Sequence, residues 1–118
     1  MSKIVHVDNS GFFRKLIKTF LLDKGHESEN FSRGEDAIDI VMEGNTVCVI
    51  TGMELADMNG EEFIKRLLVN TQDVPVIVIT SSDNELQFEK LRTLGVRAII
   101  PKSGRWKEDL AEHLAIID

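Results

Sequence analysis

The stretch CVITGMELADMNG, residues 48–60, decides the fold because it runs from a buried strand through a loop to the start of a helix. The apolar run TVCVIT, residues 46–51, is typical of a parallel strand covered on both faces. This strand ends at Gly52. In α/β sheets the functional crevice lies beyond the carboxyl ends of the strands, so a glycine at this position needs an explanation.

The rest of the chain repeats the strand-to-helix pattern. Apolar runs predict further strands at 3–8, 74–80 and 96–101, and the more polar run 26–31 suits a sheet edge. Helical spacing predicts helices over 12–21, 34–43, 60–70, 84–94 and 105–117. Ser10 is the predicted N-cap of the first helix, and Gly25 its stop. Alternating strands and helices indicate one α/β domain with a parallel, doubly wound sheet.

Composition narrows the classes of function. The 118 residues suit one domain, and the 42% apolar and 29% charged fractions are ordinary for a globular chain. No apolar run is long enough to cross a bilayer, and the N-terminus lacks a signal-peptide pattern, so we expect a cytoplasmic protein. The single Cys48 excludes a disulfide framework. A net charge of −6 argues against direct nucleic-acid binding and favours protein partners.

Polar residues follow four of the predicted strands. In chain order they are Asp8 with Asn9, the region of Gly52, Thr80 with Ser81, and Lys102. Because the carboxyl ends of parallel strands meet at one edge of a sheet, we expect these residues to lie close together. Asp8 can cap the first helix or form a neutral pair with Lys102.

These motifs resemble the receiver domain of bacterial response regulators, the CheY-like fold, over essentially the whole chain. The loop GMELADMNG supplies Leu55, Met58, Asn59 and Gly60 in the register of the family pattern, which places the phosphoacceptor position at Gly52. The stretch VIVITSS supplies the fourth-strand Thr80, and GVRAIIPKS the fifth-strand Lys102. The resemblance implies a flavodoxin-like sheet of order 2-1-3-4-5 with five helices.

The departures from the family pattern concern its chemistry. A carboxylate oxygen is the nucleophile of the family's reaction, and Gly52 has none. The second acidic position holds Asn9 instead of a carboxylate. Mg²⁺ prefers charged oxygen ligands, so we expect no metal cofactor and at most weak Mg²⁺ binding at Asp8, Asn9 and Glu54. The residue Ile99 replaces the family's usual aromatic.

Three functions are compatible with this pattern. The first is a pseudo-receiver, which is not an enzyme and acts through protein contacts without phosphorylation. The second is a regulatory domain that binds a small anion in the space vacated at Gly52, held by Thr80, Ser81, Lys102 and the amide near Met53. The third and weakest is a flavodoxin-like carrier or enzyme, because the turn NSGFFRK becomes apolar too soon for a phosphate-binding loop.

The resemblance also implies partners. They are a histidine kinase, another regulator or an output domain, with a homodimer as a further candidate, and residues 1–118 can form the N-terminal part of a longer protein. The family commonly uses the face of the fourth helix, fifth strand and fifth helix, where Ile99 and a half-exposed Trp106 are candidate interface residues. We expect a core position for five other residues: His6, Cys48, Phe12, Phe13 and Phe20.

Overall fold

The computed structural model describes residues 3–71 and 73–117, in which five strands alternate with five helices. The elements are β1 (Lys3–Val7), α1 (Gly11–Asp23), β2 (Ser28–Phe31), α2 (Gly34–Met42), β3 (Thr46–Thr51), α3 (Gly60–Asn70), β4 (Val76–Thr80), α4 (Glu85–Leu94), β5 (Ala98–Pro101) and α5 (Trp106–Ile117).

All neighbouring strands are parallel, and their order is β2-β1-β3-β4-β5, which confirms the predicted fold class. The chain runs outward from β1 to β2 and then returns to β3 on the other side of β1. Strand order therefore reverses between β1 and β3, and the carboxyl ends of these two strands open a crevice.

Three strands begin two residues later than the sequence predicted, at Ser28, Val76 and Ala98. In two cases the preceding residues close the helix before them: the His26 amide donates to Leu21 O, and the Val96 amide to Leu91 O. In the third case Pro75 has no N–H with which to join the ladder.

The sheet separates two layers of core. The residues Ile4, Ile50, Ile77 and Ile100 face α1 and α5, whereas Val5, Val7, Val49 and Val78 face α2, α3 and α4. Burial on both faces explains why the central strands read as continuous Val and Ile runs. Cys48 is fully buried, as expected, and burial raises the pKa of its thiol to about 12.

Side-chain caps begin three of the helices. Ser10 Oγ accepts from the Phe13 amide at 3.1 Å, which confirms the predicted N-cap of α1. Asn59 and Asn84 start α3 and α4 in the same way. These caps fix where each loop ends at the carboxyl edge of the sheet.

The expected core position of Phe12 is wrong, because its side chain is 75% exposed. The buried face of α1 consists of Phe13, Ile17, Phe20 and Leu21. Each helical residue turns about 100° from the one before, so Phe12 lies on the solvent side of this face.

The expected half-exposed position of Trp106 is also wrong, since the residue is only 9% exposed. Its ring packs against Phe13 and Phe20 with centroid distances of 5.2 and 5.4 Å. Residues at i, i+4 and i+8 share a helix face, and Trp106 therefore lies in line with the buried Leu110 and Leu114. Ile99 is half-buried against the core of the other sheet face.

Candidate functional site

The carboxyl ends of the strands surround an open cavity of about 690 Å³. The predicted site residues that line it are Asp8, Asn9, Met53, Glu54, Thr80, Ser81 and Lys102. Ile99 and Trp106 lie elsewhere, as described above. The fold thus brings together residues that are far apart in the sequence, as the parallel topology requires.

The space beside Gly52 is filled. A Cβ atom at residue 52 would lie 2.6 Å from Asp8 Oδ2 and 3.0 Å from its Cγ. On the other side of residue 52 lies Gly60. A Cβ atom added to Gly60 would lie only 2.5 Å from the carbonyl oxygen of Gly52. Consequently the Asp8 carboxylate occupies the volume into which a side chain at position 52 would begin to extend.

Asp8 is held in this position from two sides. Its Oδ2 lies 3.0 Å from Lys102 Nζ, and its Oδ1 accepts from the Ser10 amide at 2.9 Å. The contact with Lys102 is an ion pair without an aligned hydrogen bond. Because Asp8 is only 4% exposed, removing either charge would leave the other poorly solvated. Asp8 therefore both helps to start α1 and neutralises Lys102.

Lys102 also contacts the aromatic core. Its ammonium lies 4.3 Å from the centroid of the Phe13 ring, a geometry that favours a cation–π interaction. Phe13 in turn packs against Trp106. The site is thereby connected through Phe13 to the first residue of α5.

Hydroxyl and amide groups around the cavity present donors to it. Thr80 Oγ1 accepts from the backbone N–H of Ser82 at 3.0 Å, and Ser82 Oγ accepts from the backbone N–H of Asn84 at 3.2 Å. The N-cap oxygens of Ser10, Asn59 and Asn84 are engaged in the same way. In each case the oxygen accepts from backbone, which leaves the O–H or NH₂ hydrogens available to a ligand.

The residues present do not suit Mg²⁺. Asp8 and Glu54 are the carboxylates that line the cavity among the described residues. Asp8 is already paired with Lys102, and Glu54 is exposed. Residues 3–71 and 73–117 contain no group of three or more His, Cys, Asp or Glu placed to hold a metal ion. Mg²⁺ requires several oxygen ligands in near-octahedral geometry.

His6 lies deeper in the sheet and is fully buried, as predicted. Its Nδ1 lies 3.1 Å from Asn30 Oδ1, while Nε2 has no hydrogen-bond partner among the described residues. Burial lowers the pKa of His6 to about 4, against the opposing effects of Asp8 and Asn30. The imidazole is consequently neutral at physiological pH.

Asp57 is a residue that the sequence reasoning missed. Its carboxylate accepts from the Gly34 amide at 2.7 Å and the Glu35 amide at 3.1 Å, and so caps α2 from a distant loop. Partial burial opposes ionisation of Asp57, but these backbone hydrogen bonds outweigh it and lower its pKa. The sequence contained one indication of this cap. Arg33 occupies the N-cap position of α2, and its side chain cannot accept a hydrogen bond, so the cap must come from another segment.

Comparisons with known proteins agree with this architecture. The family model described as "Response regulator receiver domain" matches residues 4–115. The transcriptional regulatory protein SrrA of Staphylococcus aureus is 29% identical over 84 residues, which are 71% of this chain and 34% of that protein. The chain thus spans about a third of the length of this curated relative.

Solved structures share the fold. The chemotaxis protein CheY4 of Vibrio cholerae has a TM-score of 0.88 at 22% identity, covering 100% of this chain and 99% of that one. A CheY-like receiver domain protein from Methanospirillum hungatei has a TM-score of 0.89 at 18% identity, covering 100% and 94%. Among the described helices, none has the length and apolar character that crossing a membrane would require.

Proposed function

We propose that this chain, which belongs to the response regulator receiver family, is a pseudo-receiver that signals through protein contacts without accepting a phosphoryl group at residue 52. The observation that carries the proposal is the position of Asp8. Its carboxylate fills the space beside Gly52 and forms an ion pair with Lys102. Both the acceptor side chain and the room for it are therefore missing.

Within the described part of the chain, no side chain near Gly52 is arranged to replace the acceptor. The Thr51 hydroxyl is buried and donates to Gly52 O at 2.8 Å. Asp57 is occupied in capping α2. Asp8 is nearest, but its two oxygens are already held by Lys102 and by the Ser10 backbone amide.

The same geometry supports a non-enzymatic role without a metal cofactor. Transfer of a phosphoryl group depends on a cation that offsets the charge on its oxygens. Of the two carboxylates that line the site among the described residues, Asp8 is paired with Lys102 and Glu54 is exposed. Receiver domains are signalling modules, and a histidine kinase, another regulator or an output domain is the expected partner. A cytoplasmic location is consistent with such partners.

Incubation with acetyl phosphate or beryllofluoride in the presence of Mg²⁺ tests the proposal. We expect intact-mass spectrometry to find the protein unmodified by acetyl phosphate, and NMR spectra to remain unchanged with beryllofluoride. A mass increase of one phosphoryl group that hydroxylamine removes would refute the proposal, because hydroxylamine cleaves acyl phosphates. Mapping of the modified residue would then decide whether Asp8 had reacted.

Anion binding is a second candidate, supported by the free donors around the cavity. Because Asp8 fills the space at Gly52, the anion would lie farther out, near Thr80, Ser81, Lys102 and the Met53 amide. Titration calorimetry with phosphate and acetate tests this candidate. A millimolar dissociation constant, which corresponds to a binding free energy of about 4 kcal/mol, would support anion binding if Lys102→Ala abolished it. Absence of binding heat up to about 10 mM anion would exclude it. A flavodoxin-like carrier or enzyme has no such observation in its favour.

A further inference from the structure

The loop between β3 and α3 ends in the pair Asn59–Gly60, and no other Asn in the chain is followed by Gly. Asn is a chemically labile residue, because its side chain loses ammonia when the next backbone nitrogen attacks the carboxamide carbon. A following glycine favours this attack, since it has no Cβ to obstruct the nitrogen and its backbone turns freely. The sequence therefore contains one Asn with high intrinsic reactivity.

Helix capping and packing explain why this pair is present. Asn59 is the N-cap of α3, and its Oδ1 accepts from the Glu62 amide at 2.8 Å. Gly60 is buried. A Cβ atom there would lie 2.9 Å from the Cα of Met53, besides its close approach to the carbonyl oxygen of Gly52. The start of α3 thus needs a capping side chain at residue 59 and a glycine at residue 60.

The same segment holds both reacting groups in hydrogen bonds. The Gly60 amide donates to Met53 O at 2.8 Å, while the Asn59 side chain is held by the Glu62 amide. The backbone of Asn59 is extended, with φ −87° and ψ 166°, and forms an isolated antiparallel bridge with Glu54. The nitrogen can turn toward the carboxamide carbon only after these contacts break. Although the Asn59 side chain is exposed, its reaction therefore requires local opening of the segment.

We propose that Asn59 is a deamidation site of this protein, which the folded start of α3 keeps unreacted and which reacts when this segment opens. In the reaction Gly60 N forms a bond to Asn59 Cγ, and the bond from Cγ to Nδ2 breaks. The Nδ2 group leaves as ammonia and takes the proton of the Gly60 amide. Water then opens the cyclic imide and gives either an aspartyl or an isoaspartyl residue.

The product changes the wall of the cavity described above. Asn59 and Glu54 both line this cavity and face each other in the bridge. An aspartyl product keeps an oxygen that can cap α3, but it places a negative charge opposite Glu54, an unfavourable arrangement of like charges. An isoaspartyl product lengthens the backbone by one carbon and so disturbs the cap. In either form, deamidation makes the cavity more negative.

Peptide mapping by mass spectrometry tests the site, with Asn84 as a matched control in the same chain. Asn84 caps α4 in the same way, since its Oδ1 accepts from the Gln87 amide at 3.1 Å, but it is followed by Glu85. In protein unfolded by guanidinium chloride we expect Asn59 to deamidate at least about tenfold faster than Asn84, because only Asn59 precedes a glycine. Glu85→Gly should bring Asn84 close to the rate of Asn59. Asn59→Ser keeps a capping hydroxyl and should give no product at residue 59. Equal rates at Asn59 and Asn84 in the unfolded wild type would overturn the proposal.

Hydrogen exchange tests whether the fold limits the reaction. If opening of the segment is required, the ratio of the Asn59 deamidation rates in unfolded and folded protein should equal the protection factor of the Gly60 amide within about threefold. Low concentrations of denaturant that reduce this protection factor should raise the deamidation rate of the folded protein in parallel. A folded protein that deamidates faster than the protection factor allows would overturn the protective role of the α3 start. A rate that stays constant while the protection factor falls would also contradict it.

Discussion

Residue 52 and Asp8 compete for one volume at the carboxyl end of β3. Asp8 cannot move away freely, because the Ser10 amide and Lys102 hold its two oxygens. A larger residue at position 52 must therefore displace a buried ion pair. The present packing around Asp8 therefore favours glycine at position 52.

Gly52→Ala measures this competition. We expect it to lower the free energy of unfolding by about 1–3 kcal/mol, the usual cost of inserting an atom into a packed site. In an Asp8→Ala background the cost should fall by at least about 1 kcal/mol, since the atom that clashes is gone. Gly104→Ala is the matched control, because nothing lies within 4 Å of a Cβ there. Equal costs in both backgrounds, measured by urea unfolding, would show that Asp8 does not limit residue 52.

His6 should make the protein sensitive to acid. Its pKa is about 4 in the folded protein and about 6.5 in an unfolded chain. Between these values only the unfolded chain takes up the proton, so stability is complete above pH 6.5 and falls by about 3 kcal/mol as the pH drops to 4. Urea unfolding of His6→Leu should show a flatter dependence over this range. A slope equal to that of the wild type would assign the acid sensitivity to other groups.

At the scale of single elements, α2 depends on a cap from outside its own sequence. Asp57→Ala should lower the free energy of unfolding by about 1–2 kcal/mol, as N-cap removal does. The effect should disappear at acidic pH, because the carboxylate with its lowered pKa then becomes protonated in the wild type too. Asp36→Ala, which removes a largely exposed ion pair in the same first turn, should cost less than about 0.5 kcal/mol. Equal effects would mean that α2 needs no cap from the loop.

The start of α5 depends on Trp106. Replacing this residue by Ala should cost about 3–5 kcal/mol, the range for a large aromatic in a core, because the ring packs on Phe13 and Phe20. Lys107→Ala changes an exposed neighbour and should stay within about 0.5 kcal/mol. Thermal and urea unfolding give both values. A loss below about 1 kcal/mol for Trp106→Ala would contradict the core role and would favour an interface role for this residue.

For the whole molecule, the sequence was sufficient to predict the sheet and its helices. Continuous apolar runs such as VIVIT predict a central strand that is buried on both faces. Ser10 predicts the start of α1 because an N-cap depends on residues close to it in the sequence. Contacts between distant segments were not predictable in this way. The charged neighbours of Trp106 concealed its core position, and no local pattern connects Asp57 to α2 or shows that Asp8 fills the space at Gly52. The roles of the site residues stay predictions.

The response of the whole fold to Mg²⁺ gives the last prediction. A ligand that binds only the folded state at 100 times its Kd adds about 2.7 kcal/mol, which for a domain of this size is roughly 10 °C in Tm. With Asp8 already paired to Lys102, we expect about 10 mM MgCl₂ to change Tm by less than about 2 °C relative to NaCl of equal ionic strength. A larger shift, with Mn²⁺ broadening of NMR signals confined to residues 8, 9 and 54, would mean that Glu54 turns inward and rebuilds a metal site. Broadening that is weak and spread over acidic surface residues would agree with a site that does not hold a metal ion.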